Sequence, residues 1–134
     1  MPVKMMVMVK RKQGLSAEAF RNGYENGHSR LAVRLFGHLW TEYRRSYLGS
    51  GNSFSGYLAG AGEADAGYDA ISEIVFRDAA GVEEMLRIAT EHYDEIRTDE
   101  LRWFDRANCW MLTCDTVEEE LSAFGARHAE EYQE

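Results

Sequence analysis

Residues 3–10, Val-Lys-Met-Met-Val-Met-Val-Lys, are the stretch that decides the fold. The odd-numbered positions are all valine or methionine, and the even-numbered ones have Met6 and Met8 between two lysines. This alternation predicts a β-strand whose centre is apolar on both faces. A strand of this kind belongs to a sheet that is covered on both sides.

The segment after this strand has the pattern of an amphipathic helix. Ser16 is a suitable N-cap residue, and Phe20, Tyr24 and His28 follow at intervals of four, which places them on one face. Gly27 is an alternative end for this helix, because glycine is the preferred residue just after a helix terminus. Either way, we expect His28 near a helix end and on the inward side.

The rest of the chain repeats this order of elements. We predict strands at 39–48, 68–76 and 107–113, a helix at 82–96, and a short turn or helical piece at 98–105. The order is β-α-β followed by β-α-β, an α+β chain with a four-stranded antiparallel sheet. Two helices cover one face, and because the strands are also apolar on the other face, we predict a homodimer formed by sheet-to-sheet packing.

We predict one domain over residues 1–116 and an acidic, helix-prone tail over 117–134. The domain contains a glycine-rich insertion, 49–67, with six of the twelve glycines. This insertion is long for a connector. Because it also contains aromatic residues, we predict a lid or an arm that docks on a partner.

Composition and charge limit the classes of function. The chain has 134 residues, 45% of them hydrophobic, and a formal net charge of −8. An acidic chain without a basic stripe disfavours nucleic acid and anionic membranes as partners. No stretch approaches the roughly 20 apolar residues of a membrane span, and the first residues do not resemble a signal peptide. We therefore expect a cytoplasmic location.

His28 and two carboxylates are the strongest candidates for chemistry. Histidine changes its charge near neutral pH and serves as a general acid or base; the alternative is a structural histidine at a helix end. Glu73 lies between apolar residues of a strand, where a carboxylate is costly unless it is paired or used. It is predicted to orient His28 or move a proton, or else to pair with Arg44 or Arg45.

Other candidates have equally ordinary explanations. Asp99 is predicted as a second catalytic carboxylate, or as the N-cap of the turn at 100–105. Asp69 either faces the site or caps a loop. The remaining candidates are aromatic residues that suit a flat substrate but also suit a core: Tyr43 as a catalytic hydroxyl, and Tyr24, Trp40, Tyr93, Trp103 and Phe104 as substrate-binding residues. No histidine spacing predicts a metal site.

These motifs, taken in order, resemble the EthD family of dimeric α/β barrels. The resemblance lies in Leu-Ser-Ala-Glu-Ala-Phe at 15–20, in Tyr24 with His28, in Tyr-Asp-Ala-Ile-Ser-Glu-Ile-Val-Phe at 68–76, and in 92–105. It covers residues 3 to about 116. The chain departs from the frequent His-x-Pro of the family, because Arg30 stands where proline is expected.

The resemblance implies a ferredoxin-like monomer and a two-sheet barrel in the dimer. It implies an enzyme that acts without a metal or organic cofactor on a small cyclic molecule, such as an aromatic, polyketide-like or lactone compound. Isomerisation, dehydration and decarboxylation are the expected reactions, all of the lyase or isomerase type. Two alternatives remain open: a cofactor-free monooxygenase acting on a phenolic or anthrone-like substrate, and a non-catalytic binding or accessory protein.

Overall fold

A computed structural model describes residues 1–49 and 67–122 of the chain. The predicted arm, apart from its end residues, and the tail after residue 122 lie outside the described residues. Residues 117–121 form neither helix nor strand.

The described residues contain four strands, four α-helices and one π-helical turn. The strands are β1 (Val3–Val9), β2 (Trp40–Tyr47), β3 (Ala70–Phe76) and β4 (Trp110–Cys114). The helices are α1 (Ala17–Gly23), a π-helical turn (Tyr24–His28), α2 (Ser29–Phe36), α3 (Ala79–Glu91) and α4 (Tyr93–Trp103), with short 3-10 turns at Gly37–Leu39 and Arg106–Asn108. Within the described ranges, none of these helices has the length and apolar character needed to cross a bilayer.

The strands form one sheet in the order β2-β3-β1-β4, and all neighbours are antiparallel. β2 and β3 are consecutive strands and lie side by side. β1 and β4 are also neighbours in the sheet, although they are the first and the last strand along the chain. This arrangement confirms the predicted α+β, ferredoxin-like βαββαβ fold with a four-stranded antiparallel sheet.

The two faces of the sheet have different surroundings, as β3 shows. Ser72, Ile74 and Phe76 are buried beneath the helices, whereas Glu73 and Val75 are only half-buried on the opposite face. Successive side chains of a strand point to opposite faces. A change of one position along β3 therefore moves a side chain from the interior to the uncovered face.

The first helical run does not end at Gly27. Ser16 accepts a hydrogen bond from the backbone of Ala19 at 3.1 Å, which caps α1 as expected. Gly27 is not the end of this helix, because the chain continues through His28 into α2. Arg30, unlike proline, allows the residue before it to stay helical.

The helix predicted for 82–96 is corrected by the structure. It is divided at His92, whose φ of −105° and ψ of 23° end α3 and begin α4. Of the two alternatives predicted for 98–105, a short turn or a helical piece, the structure has the helical one as far as Trp103, where α4 ends. Asp99 is therefore not an N-cap; it lies within a helix and is buried.

Candidate active site

A histidine and a carboxylate from two different helical segments form the centre of the site. His28 Nδ1 and Asp99 Oδ2 are 2.6 Å apart, and their side chains are 16% and 12% exposed. Trp103 Nε1 donates a second hydrogen bond to Asp99 at 3.3 Å. When Nδ1 carries the proton that Asp99 accepts, the other ring nitrogen presents its lone pair, as a general base requires.

His28 is the last residue of the π-helical turn. The backbone N–H of Ser29 donates to the carbonyl of Tyr24, five residues earlier, which is the π-helical hydrogen bond. The hydroxyl of the buried Ser29 donates to the carbonyl of Glu25 at 2.7 Å. Tyr24 and His28 stand at the two ends of this turn, and their rings are in contact, with centroids 5.1 Å apart.

A cavity of about 930 Å³ lies between the helices and the covered face of the sheet. Its polar wall consists of Tyr24, His28, Tyr43 and Ser72, and four further polar or titratable residues also line the cavity: Glu83, Glu100, Arg106 and Cys109. The other walls are mainly aliphatic or aromatic, from β1, α2, α3, Trp40 and Phe104. The Phe104 ring packs 4.6 Å from the His28 ring, centroid to centroid. The arrangement is typical of a small-molecule site, in which a few polar groups orient an otherwise apolar ligand.

The tyrosines of this wall are hydrogen-bonding groups in their neutral form. The Tyr24 and Ser72 hydroxyl oxygens are 2.5 Å apart. Burial raises the pKa of Tyr24 and, more strongly, that of Tyr43, because a buried phenolate loses its solvation. The two hydroxyls also interact with each other. At neutral pH both phenols are protonated and available to stabilise negative charge on a ligand oxygen.

An ion pair beside this wall was not predicted from the sequence. Glu25 accepts two hydrogen bonds from Arg45, at 2.6 and 2.7 Å, and one from the hydroxyl of Tyr47. Hydrogen bonding by Arg45 lowers the pKa of Glu25 to about 2. No periodicity links positions 25 and 45, because one lies in a helical turn and the other in β2. Ser72 was also missed, although its place between inward-facing Ala70 and Ile74 was a usable signal.

We predict that this ion pair makes stability depend on pH in the acidic range. Because the pKa of Glu25 falls from 4.5 in the reference state to about 2 in the fold, its contribution is complete above about pH 4.5 and is lost as the pH falls towards 2. Glu25→Gln should lower the free energy of unfolding at pH 7 by about 1 kcal/mol, because the carboxylate is partly solvated. Urea titrations at pH 7 and pH 3 measure the difference, which should shrink at pH 3.

The control for this prediction is Glu18→Gln, at an exposed position of α1. Its effect should stay within about 0.5 kcal/mol at both pH values. An equal loss of stability for Glu25→Gln at pH 7 and pH 3 would contradict the prediction.

The structure places Glu73 away from His28, which corrects the sequence-based expectation. Glu73 lies on the uncovered face of the sheet, where Oε1 is 2.8 Å from the ammonium nitrogen of Lys4. Arg44 and Arg45 are not its partners; Arg44 pairs with Glu42, and Arg45 with Glu25. The carboxylate on an apolar strand is therefore explained by an ion pair, but with a residue of β1.

Asp69 and Tyr93 also lie outside the cavity wall. Asp69 accepts a hydrogen bond from the backbone of Arg11 at 2.8 Å and pairs with its guanidinium, so it fixes the loop before β3. Tyr93 begins α4, is 52% exposed and interacts with Arg106. Of the two alternatives for Asp69, these contacts favour the loop cap, and neither Asp69 nor Tyr93 lines this cavity.

The other candidates divide between the wall and its support. Trp40, Tyr43, Tyr24 and Phe104 line the cavity, together with His28. Trp103 does not line it but packs behind the π-helical turn and holds Asp99. Over residues 1–49 and 67–122, no three histidine, cysteine or acidic side chains are grouped so as to hold a metal ion.

Comparison with known proteins identifies the family of this domain. The sequence model of the EthD domain matches residues 12–107, well over half of the chain. The chain belongs to the EthD family. The matched range includes His28, Asp99 and the four residues of the polar wall of the cavity.

Solved structures of similar proteins share the fold of this EthD-family chain. An EthD-like protein from Ralstonia eutropha JMP134 is 18% identical, with a TM-score of 0.59 over 89% of this chain and 95% of that one. The Arabidopsis thaliana protein At3g17210 is 19% identical, with a TM-score of 0.58 over 89% and 99% of the two chains.

A third structure is described as a dimeric ferredoxin-like protein of unknown function, from Thermobifida fusca. It is 9% identical, with a TM-score of 0.55 over 87% of this chain and 92% of that one. A search of curated proteins found no match to the EthD-family chain. At these identities the structural neighbours define the fold and leave the reaction open.

Proposed function

We propose that this EthD-family protein is an enzyme that moves a proton on a small cyclic molecule without the help of a cofactor. The observation that carries the proposal is that His28, on the wall of a large, mainly apolar cavity, is paired with Asp99. A carboxylate that holds one ring nitrogen fixes the orientation of the imidazole and stabilises its protonated form. The surrounding aromatic rings favour an aromatic, polyketide-like or lactone substrate.

The proposed chemistry begins with removal of a proton from a carbon next to a carbonyl group. His28 accepts that proton, and the electron pair of the C–H bond moves towards the carbonyl oxygen. Tyr24 and Tyr43 donate hydrogen bonds to this oxygen as its negative charge develops. Return of the proton to another carbon completes an isomerisation, whereas its transfer to a departing hydroxyl group completes a dehydration. In a decarboxylation, His28 instead supplies the proton that replaces carbon dioxide.

A ligand screen tests this proposal. Thermal shifts are measured with phenols, lactones and cyclic ketones on the wild type, on His28→Ala and on the control His92→Ala, whose half-exposed ring pairs with Glu95. Hits are then incubated with enzyme and analysed for products by mass spectrometry. The proposal predicts a ligand that stabilises the wild type and His92→Ala more than His28→Ala and is converted. Tight binding without conversion, and equal shifts for all three proteins, would support a binding protein instead.

We further propose that the uncovered face of the sheet binds a second copy of the chain. This face carries an apolar patch formed by Met6, Met8, Ile71, Val75, Trp110 and Leu112. Trp110 is 55% exposed and Leu112 47% exposed, which is unusual for a contiguous group of large apolar residues. The dimeric state described for the Thermobifida fusca protein supports this assignment.

We predict that Leu112→Glu dissociates this dimer. Two-fold symmetry would bury the new carboxylate twice, and an unpaired buried charge is costly, so the dissociation constant should rise about 100-fold or more. Sedimentation equilibrium should give about twice 15.3 kDa for the wild type and 15.3 kDa for the variant. Leu101→Glu, at an exposed position of α4, is the control and should remain dimeric. A monomeric wild type would refute the assignment.

A further inference from the structure

Arg45 is a largely buried cation that the proposed chemistry does not use. Its side chain is 16% exposed. Its guanidinium carbon lies 4.6 Å from the centroid of the Tyr43 ring, in a cation–π arrangement. Glu25 holds the guanidinium by two hydrogen bonds, so the cation has a fixed position immediately behind the cavity wall.

The order of side chains along β2 gives this ion pair a direction. Tyr43, Arg45 and Tyr47 occupy alternate positions and share the covered face. Glu25 contacts Arg45 and Tyr47, and Arg45 lies over Tyr43. The positive end of the pair therefore faces the tyrosine of the cavity wall, and the negative end faces the tyrosine further along the strand.

Tyr43 connects this positive end to the interior. Its hydroxyl interacts with that of Tyr24, which is in turn hydrogen-bonded to Ser72. All three residues line the cavity. A positive charge next to such a chain of hydroxyls strengthens the hydrogen bonds that it donates to an anion, because polarised hydroxyls are better donors.

We propose that Arg45 is a positioning residue which acts through Tyr43. It makes the cavity prefer ligands that carry an acidic hydroxyl group on a ring, that is, phenols or enols bound as their anions. This inference rests on the proposed function and specifies its substrate class. The oxygen of this ionised hydroxyl group lies against Tyr24 and Tyr43, and the ring occupies the apolar part of the cavity. The preference is for the charged form of the ligand, so it is measurable apart from overall affinity.

The test uses 7-hydroxycoumarin, a bicyclic phenol and lactone whose neutral and anionic forms absorb at different wavelengths. Its absorbance is titrated with pH in the presence of excess protein. The apparent pKa of the bound dye is compared among the wild type, Arg45→Met, Arg45→Lys and Arg44→Met. Arg44 is the matched control, because it is the neighbouring arginine of β2 on the opposite face. The other charged or titratable residues of the wall are unchanged in every variant: His28, Glu83, Glu100, Arg106 and Cys109.

Arg45→Met should raise the apparent pKa of the bound dye by about one pH unit relative to the wild type, at the low end of the effect of one nearby opposite charge. Arg45→Lys should recover most of this shift, and Arg44→Met should match the wild type. If Arg45→Met does not fold, Arg45→Gln replaces it, because the amide retains a hydrogen bond to Glu25 without the charge.

Two negative results have different meanings. A dye that binds all the proteins with the same apparent pKa would overturn the role of Arg45 and leave the proposed proton-transfer site standing. A dye that binds none of them, the wild type included, would overturn the phenol preference, and the wider ligand screen would then decide on the proposed function itself.

Discussion

His28→Ala is expected to lower turnover of the substrate identified by the screen by about 10²–10⁴-fold, the usual contribution of general acid–base catalysis. The reason is geometric: on the wall of the cavity, this imidazole is the group that Asp99 holds, at 2.6 Å. Because the hydroxyls of Tyr24 and Tyr43 remain in place, ligand binding should weaken much less than turnover. The measurements are kcat and KM under saturating and limiting substrate.

Asp99→Asn and His92→Ala make this prediction more specific. Asparagine retains the shape of the carboxylate but not its charge, so Asp99→Asn should lower kcat by at least about 10-fold through a less stable imidazolium. His92→Ala changes a histidine on the outer surface of the helices and should leave kcat within about two-fold. A His28→Ala enzyme with wild-type kcat and KM would show that His28 is structural.

Gly23→Ala is expected to lower the free energy of unfolding by about 2–3 kcal/mol, a large effect for one methyl group. A Cβ atom at this position would lie 2.2 Å from Cε3 and 2.3 Å from Cζ3 of Trp103. The indole ring cannot yield freely, because its nitrogen donates to Asp99. The substitution should therefore also displace Asp99 from His28, and urea titration together with kcat measures both effects.

Gly27→Ala is the matched control for this prediction, four residues along the same helical run. Its Cβ would lie 3.5 Å from Trp103 Nε1, an ordinary contact distance. Alanine is the better helix former by about 1 kcal/mol, so this variant should be as stable as the wild type or slightly more stable. Equal stabilities for the two alanine variants would show that Trp103 is free to move aside.

The fold was predictable because its signals are local. Alternation in residues 3–10, four-residue spacing after Ser16 and the order of elements were sufficient to predict the sheet and its helices. The break at His92 was not predictable, since the apolar stripe from Val82 continues through it to Ile96. Only tertiary packing shows that the chain forms two helices there.

The site was predictable in part. The candidate residues His28, Asp99, Tyr24 and Tyr43 do lie together in the structure, but sequence alone did not specify their partners. Glu73 was misplaced because an apolar strand with two apolar faces does not show which face is inward. Glu25 and Arg45 were missed because their contact joins residues that are distant in sequence.

The π-helical turn at Tyr24–His28 contains one more residue than an α-helical turn would need. Loss of one residue there would restore a regular α-helix with the segments on either side still in phase, and the histidine would then stand three residues after the tyrosine instead of four. When related sequences are aligned, a one-residue gap in this segment therefore identifies chains that keep the histidine but lose its geometry. Segment length, as well as residue identity, becomes a criterion for which EthD-family proteins share this site.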